Sequence, residues 1–291
     1  DDLSSPRQVL TGHEGAILSL EFSRNNQWLI SASEDKTVHT WSQKEHGQFA
    51  KHAVIAGHGR SVLNASFGEQ EKVILSVSHN RLLVSDIPNH SLGTELVGHK
   101  KDIACLVANE KGWAISGGKD NAVCVWRVIA GKKLQLCRTF RGHQETISSV
   151  ALSHDASHFA STDGKTIRLY RIHDRRITEE RIITHEKISQ LTFHPNNAWL
   201  ITASRKQVQL WDIFTGELLF ENTVIDDGHF KSISCLAYRA DGALLAVGGI
   251  VYDTAVQLWE LNKNGLQLKH TLSEEKSGHD NSCTCLVFHP Q

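Results

Sequence analysis

The stretch Ile30-Ser-Ala-Ser-Glu-Asp-Lys-Thr-Val-His-Thr-Trp41 decides the fold, because the same layout returns at Ile115-Ser-Gly-Gly-Lys-Asp-Asn-Ala-Val-Cys-Val-Trp126. Each copy runs from an apolar residue through small residues to a tight acidic turn, then through an alternating run that closes on tryptophan. Alternation of period two on both sides of a short turn predicts a β-hairpin. Working outward, each copy is preceded by a Gly-His dipeptide, Gly12-His13 and Gly98-His99. The dipeptide recurs at Gly57-His58, Gly142-His143, Gly228-His229 and Gly278-His279, and Thr184-His185 stands where a further copy is due. These histidines follow one another at intervals of 41 to 50 residues. A period of about 40–45 residues, with a Gly-His start and an aromatic close, is the signature of β-propeller blades.

Aligned on the histidines, each unit reads as four strands. In the first, residues 16–22 alternate, Asn25-Asn26 turns the chain, Trp28 begins a second strand, and Glu34-Asp35-Lys36 turns into a third that ends at Trp41. The segment up to Ile55 supplies the outer strand. Trp28, Trp113 and Trp199 each fall three residues before Ser31, Ser116 and Thr202, which predicts one repeated packing site. No stretch shows helical periodicity of useful length, so the expected class is all-β.

The units are uneven. The second has Ser85-Asp86 in place of Trp-Asp, and Asn80 for the acidic turn residue. The fourth closes on Tyr170. The fifth carries Arg205-Lys206 at the turn, and the sixth has an enlarged turn from Gly248 to Asp253. Residues 7–11 read as an outermost strand and residues 282–288 as an innermost one. From these ends we expect a seven-bladed propeller whose seventh blade is incomplete, its inner strand from the C-terminus and its outer strand from the N-terminus. Residues 1–291 are expected to form a single propeller domain.

Composition narrows the function. The 31 basic and 32 acidic residues leave a formal charge of −1, which gives no electrostatic support to nonspecific nucleic-acid or anionic-membrane binding. No run of about 18 apolar residues suggests a membrane helix, and Asp-Asp-Leu-Ser-Ser-Pro at the N-terminus is not a secretory signal. Of the six cysteines (Cys105, Cys124, Cys137, Cys235, Cys283 and Cys285), four fall in apolar strand runs, as packed, reduced thiols would. Together these features lead us to expect a cytoplasmic protein, with the nucleus also open. The chain has no methionine, so we expect a processed or excised piece of something longer, or an engineered one.

Over essentially its whole length the chain resembles the WD40-repeat family. In that family a Trp indole, a Ser or Thr hydroxyl, the His of Gly-His and the turn Asp form a buried hydrogen-bonded tetrad. The resemblance implies tetrads of His13, Ser31, Asp35 and Trp41, and of His99, Ser116, Asp120 and Trp126. The fifth unit keeps His185, Thr202 and Trp211 without the Asp. The sixth keeps His229, Asp253 and Trp259, with Ala246 in place of the hydroxyl. Such a set recurs around the ring, and no Gly-x-Ser-x-Gly elbow accompanies it, so it reads as scaffold and not as a hydrolase triad. Of the eighteen histidines, those outside the repeat are scattered and no His-Glu-x-x-His is present. No catalytic residue, metal or cofactor is expected.

The function implied by the resemblance is a noncatalytic scaffold, sensor or docking domain for a protein or peptide, with other domains of the same polypeptide as further partners. Binding in the family often uses the top face around the channel. The matching positions here include Glu34, His79, Asp102, Lys119, Lys187, Arg205 and Tyr252. Arg205 and Tyr252 stand out as residue types favoured at interface hot spots. Arg205, Lys187, Lys206 and Lys119 suggest a basic arc for an acidic peptide. Two alternatives were weighed. A phosphoinositide-binding propeller would need Phe-Arg-Arg-Gly, whereas the chain has Asp174-Arg175-Arg176-Ile177. A ubiquitin-ligase substrate receptor would often carry Trp-Asp-x-Arg, whereas the chain has Trp211-Asp212-Ile213-Phe214.

Overall fold

In a computed structural model, residues 8–87, 92–129, 133–174, 176–185, 187–205, 207–223, 232–250, 256–262, 265–272 and 283–289 are described. Blade 1 is a meander of β1 (Ile17–Phe22), β2 (Trp28–Ser33), β3 (Val38–Gln43) and β4 (Phe49–Ile55). Five further four-stranded antiparallel meanders follow, within residues 64–97, 103–141, 149–184, 188–223 and 232–272. Among the described residues the only helical turns are two three-residue 3-10 segments, Glu45–Gly47 and Glu69–Glu71.

The period of the sequence is also a period of geometry. In every blade the ladder between the third and fourth strands slips at the same place, just before the closing aromatic position. The slips fall at Thr40/Trp41, Leu83/Ser85, Val125/Trp126, Leu169/Tyr170, Leu210/Trp211 and Leu258/Trp259. A bulge at that point adds twist to the outer hairpin and re-aims the side chain beside it.

The core lies between blades. Ile30, Val38 and Ile55 of blade 1 meet Val62, Phe67 and Ile74 of blade 2. Equivalent layers join blades 2 and 3, 3 and 4, 4 and 5, and 5 and 6. Inner-strand edges are protected as well. The Ala108 N–H donates to Ser66 Oγ, and the Leu191 N–H to Ser149 Oγ, each hydroxyl coming from the preceding blade. Such capping satisfies edge groups that a strand otherwise leaves open.

The expectation of seven blades is wrong: the protein is a six-bladed propeller. Of the segments assigned to a seventh blade, residues 8–11 and 283–288 contain no strand, and the described residues hold no central strands for them to pair with. They pack by side chain instead. Gln8 Nε2 donates to the Phe49 carbonyl at 2.6 Å and its Oε1 accepts from Phe49 N–H at 2.9 Å, so one side chain stands in for a ladder partner. Leu10 lies against Leu29, Trp41 and Phe49. At the other end Thr284 Oγ1 donates to the Ile17 carbonyl of blade 1 at 2.6 Å, and Ser234 Oγ of blade 6 donates to the Cys283 carbonyl at 2.5 Å. Residues 283–289 therefore bridge blades 6 and 1.

Their docking reuses the contact that joins the other blades. Val62, Ile103, Ile147, Ile188 and Ile233 each donate a backbone N–H to a carbonyl at the end of the second strand, or in the turn after it, of the blade before, and all five are buried. Cys283 N–H does the same to Gly249 O at 3.3 Å.

Candidate functional site

The upper face of the ring carries the Gly-His loops and the acidic turns. In blade 1, His13 Nδ1 lies 2.7 Å from Asp35 Oδ2, His13 Nε2 lies 2.7 Å from Ser31 Oγ, and Trp41 Nε1 donates to Ser31 Oγ at 3.0 Å. In blade 3 the corresponding distances are 2.8 Å from His99 to Asp120, 2.8 Å from His99 to Ser116, and 2.8 Å from Trp126 to Ser116. An ionised aspartate accepts only, so Nδ1 carries the ring proton, Nε2 accepts the Ser O–H, and Ser Oγ accepts from the indole. Gly118 makes room for this chain, since a Cβ there would sit 2.4 Å from both His99 Nδ1 and Asp120 Oδ1.

The aspartate does a second job. Its carboxylate also accepts the backbone N–H of the residue after the histidine: Glu14 at 3.0 Å, Lys100 at 2.9 Å and, in blade 4, Gln144 at 3.0 Å. Burial of Asp120 acts to raise its pKa, but the N–H of Lys100 and the His99 ring bind the anion and carry the net shift downward. The Asp35 and Asp163 carboxyls are likewise held below the usual range, where the same burial is outweighed by Thr37 and His13 in one and by the N–H groups of Thr166, Lys165 and Gln144 in the other.

Blade 4 thus has a complete set that sequence reading missed. His143 Nε2 is 2.7 Å from Ser161 Oγ and Nδ1 is 3.2 Å from Asp163 Oδ2. Tyr170 fills the tryptophan position, stacked on Phe159 at 4.5 Å, and burial pushes its hydroxyl up to about 12 against a hydrogen bond with Ser161. Blade 5 inserts a further residue. Trp211 Nε1 donates to Thr202 Oγ1 at 3.1 Å, Thr202 Oγ1 donates to Gln209 Oε1 at 3.1 Å, and Gln209 Nε2 reaches His185 Nε2 at 2.9 Å. In sequence, Thr202 and Trp211 stand nine positions apart against ten for Ser31 and Trp41 and for Ser116 and Trp126, so the fifth unit is short at its turn. In blade 6, Trp259 Nε1 is buried without a hydrogen-bond partner among the described residues; the hydroxyl's place is held by Val247 and not, as expected, by Ala246, which packs with Cys235 and Cys283 on the other face of the sheet. His229, Tyr252 and Asp253 lie outside the described residues.

The rim residues divide into two groups. His79 of blade 2 and Asp102 and Lys119 of blade 3 converge: His79 Nδ1 pairs with Asp102 Oδ1, and Lys119 Nζ lies 3.2 Å from Asp102 Oδ2. Burial tends to raise the Asp102 pKa, yet the Lys119 hydrogen bond and the charge of His79 hold it below its ordinary value. Glu34 is exposed on the same rim, its carbonyl accepting from Ser61 Oγ at 3.5 Å. Lys187 and Arg205 are exposed turn residues with φ of 65° and 38°. Lys119 is engaged by Asp102, and Lys206 lies outside the described residues.

A cavity of about 270 Å³ adjoins His79, lined by His58, Gly59, Arg60, Ser78, Arg81, Leu83 and Glu95 among others. A larger groove of about 920 Å³ lies between blades 3 and 4 at their lower side. Its cations are already occupied: Lys111 Nζ donates to the Asp155 carbonyl at 2.8 Å and Arg127 stacks on Trp113 at 4.4 Å. The lower mouth of the channel is spanned by Arg24, whose guanidinium reaches Glu110 of blade 3 and His154 of blade 4.

Among the described residues, His13, Asp35 and His39 form the one group of potential metal ligands. Both His13 nitrogens are committed, and His39 stacks on His13 face to face at 3.6 Å. Stacked rings turn their faces, not their lone pairs, to one another, so the arrangement does not suit chelation. Burial raises the Cys105 and Cys124 thiols to about 12 and about 11, away from the thiolate form a nucleophile needs.

Six meanders ringed about a channel, tied by repeated His-hydroxyl-aromatic chains, define a β-propeller built from one repeated blade. The chain belongs to the WD40 family: the model described as WD domain, G-beta repeat matches residues 4–42, 90–127, 134–171, 178–212 and 221–260. It is similar to a guanine nucleotide-binding protein subunit beta of Arabidopsis thaliana, 24% identical over 262 residues that cover 87% of this chain and 58% of that protein. It is similar to nuclear distribution protein nudF of Aspergillus niger, 24% identical over 266 residues, covering 81% and 58%. A third relative is the Arabidopsis thaliana transcriptional corepressor LEUNIG_HOMOLOG, 24% identical over 251 residues, covering 85% of this chain and 30% of the corepressor. The chain thus spans little more than half, or less, of these relatives. WD40 propellers generally mediate protein–protein interactions and are typically noncatalytic scaffolds.

Proposed function

We propose that this chain is a noncatalytic docking platform that binds a protein or peptide on its upper face, at the rim shared by blades 2 and 3. The observation that carries this reading is the convergence of His79, Asp102 and Lys119 from two blades beside the blade 2 cavity. Polar groups of both signs held in fixed mutual geometry, next to a concavity, suit recognition of a complementary surface. The relatives support it in kind, since a G-protein subunit and a corepressor are by name members of assemblies.

The test is affinity purification of the protein followed by mass spectrometry, then the double variant Asp102→Lys/Lys119→Glu. We expect at least a tenfold loss of affinity for the identified partner, with circular dichroism and melting temperature unchanged. Unchanged affinity would place the interface elsewhere and overturn this reading.

A further inference from the structure

Blade 2 keeps the histidine and hydroxyl of the tetrad but not its carboxylate. His58 Nε2 lies 2.8 Å from Ser76 Oγ, as in its sister blades. The turn that supplies aspartate elsewhere holds Asn80, which makes no hydrogen bond among the described residues. Two groups that meet the carboxylate in the sister blades are thereby left without it. His58 is 6% exposed, and its Nδ1, itself buried, has no hydrogen-bond partner among the described residues. The carbonyl of Lys36 in blade 1 is near enough to favour the protonated ring slightly, against a larger opposing effect of burial, but it does not meet Nδ1 in hydrogen-bond geometry. The backbone N–H of Gly59 occupies the place of Glu14, Lys100 and Gln144, whose N–H groups all end on an aspartate in their own blades. The space beside Gly59 is open, with no atom within 4 Å of where a Cβ would stand.

We propose that the blade 2 cavity is a seat for the side-chain carboxylate of an aspartate or glutamate from a partner protein, which completes the tetrad in trans. The inference rests on the reading of the upper face as protein-binding, and it names the chemistry the partner brings. Three blades of this molecule show the binding mode directly: a carboxylate bridging His Nδ1 and the following backbone N–H at 2.7–3.2 Å. The cavity's 270 Å³ suits one side chain, not a large ligand. Its charge agrees. Arg81 is paired with Glu95 at 2.8 Å, whereas Arg60, exposed at the mouth, makes no ion pair among the described residues. A carboxylate there gains two oriented donors and a neighbouring cation, and such charge-assisted bonds are about twice as strong as neutral ones.

The test needs no partner. The 291-residue protein, labelled at histidine Cε1 and backbone nitrogen, is titrated with N-acetyl-aspartate amide, and the His58 and Gly59 signals are followed by NMR, assigned through His58→Gln. A probe this small binds in the millimolar range at best, so the titration runs to tens of millimolar at constant ionic strength. We expect saturable shifts at both residues, a several-fold weaker affinity in Arg60→Gln, and no response to N-acetyl-asparagine amide. N-acetylglycine is the arm for a chain-terminal carboxylate, and tighter binding of that probe would overturn the assignment to a side chain. No saturable shift, or an equal shift with the neutral amide, would overturn the seat itself. Either failure leaves docking through Asp102 and Lys119 standing, because that is read separately with the partner.

Discussion

Blades 3 and 2 are neighbours with the same strand order and the same outer bulge, yet they are held together differently. Blade 3 spans its height with a buried polar chain from Trp126 through Ser116 and His99 to Asp120. Blade 2 ends that chain at both sides, with Ser85 for the indole and Asn80 for the carboxylate. What remains is aliphatic: Val73, Leu75, Val77, Leu82 and Val84 pack into the layer shared with blade 3. The lesson is that the tetrad is not required for the meander. Apolar burial against neighbours suffices, as expected of a repeat whose stability is shared across interfaces. A blade released from the tetrad leaves a polar group of it unused, and blade 2 holds His58 Nδ1 so, buried beside the rim.

The largest break in the comparison should come from Trp126→Ala. The indole is 1% exposed and belongs to the layer between blades 2 and 3, so its removal leaves a cavity and takes from Ser116 Oγ the donor it accepts from. We expect a loss of about 3–5 kcal/mol, read by denaturant unfolding. Its counterpart Ser85→Ala should do the opposite. Ser85 Oγ is fully buried without a partner, so its deletion is expected to be neutral or stabilising by up to about 1 kcal/mol.

Next in size is Asp120→Ala, which strands His99 Nδ1 and the Lys100 N–H. We expect a cost of about 2–3 kcal/mol, against less than about 0.5 kcal/mol for Asn80→Ala in blade 2. The effect should depend on pH with a definite sign. Because the folded-state pKa of Asp120 lies below its ordinary value, its contribution is fully present above about pH 4 and is lost as pH falls through the folded value. Melting curves of wild type and variant should therefore converge in acid. A constant separation down to low pH would mean that the carboxylate charge is not what holds the blade.

How far the sequence revealed this arrangement follows from where each signal resides. Gly-His, the small-residue cluster and the closing aromatic lie within one blade, so the strands and the hydrogen-bonded sets of blades 1 and 3 were legible from spacing. Contacts that depend on how one blade sits against the next were not. Nothing local marks His79 as a partner of Asp102, which lies across a blade boundary. The six-blade count was hidden for the same reason. Residues 283–288 carry an innermost strand's pattern, yet a strand needs a ladder partner and Cys283 finds only an inter-blade contact. Blade 4 was masked by Tyr170 in the tryptophan's place, although Asp163 stands in its turn. Gln209 was missed because a glutamine two residues before Trp211 has no fixed meaning until His185 is seen to be displaced.

Blade 6 sharpens the comparison from a third position, for it keeps the indole and has lost the hydroxyl. Trp259 is 4% exposed with its N–H unpartnered among the described residues, and Val247, two residues beyond its cross-strand neighbour Leu245, occupies the place of Ser31 and Ser116. A buried donor left without an acceptor costs about 1–3 kcal/mol. Val247→Thr exchanges one methyl for a hydroxyl at a fully buried site; in blade 5 Thr202 Oγ1 accepts from the indole at 3.1 Å, and in blades 1 and 3 the serine oxygen does so at 3.0 and 2.8 Å. We therefore expect Val247→Thr to be neutral or to stabilise the protein by up to about 1 kcal/mol, raising the melting temperature by at most a few degrees. The indole N–H should also exchange more slowly with solvent. In the Trp259→Phe background the threonine has no donor to meet and should destabilise instead, so the sign of the double-mutant cycle reports whether the hydrogen bond forms. If Val247→Thr destabilises equally in both backgrounds, burying the hydroxyl costs more than the bond returns, and the orphaned indole is the better of two compromises.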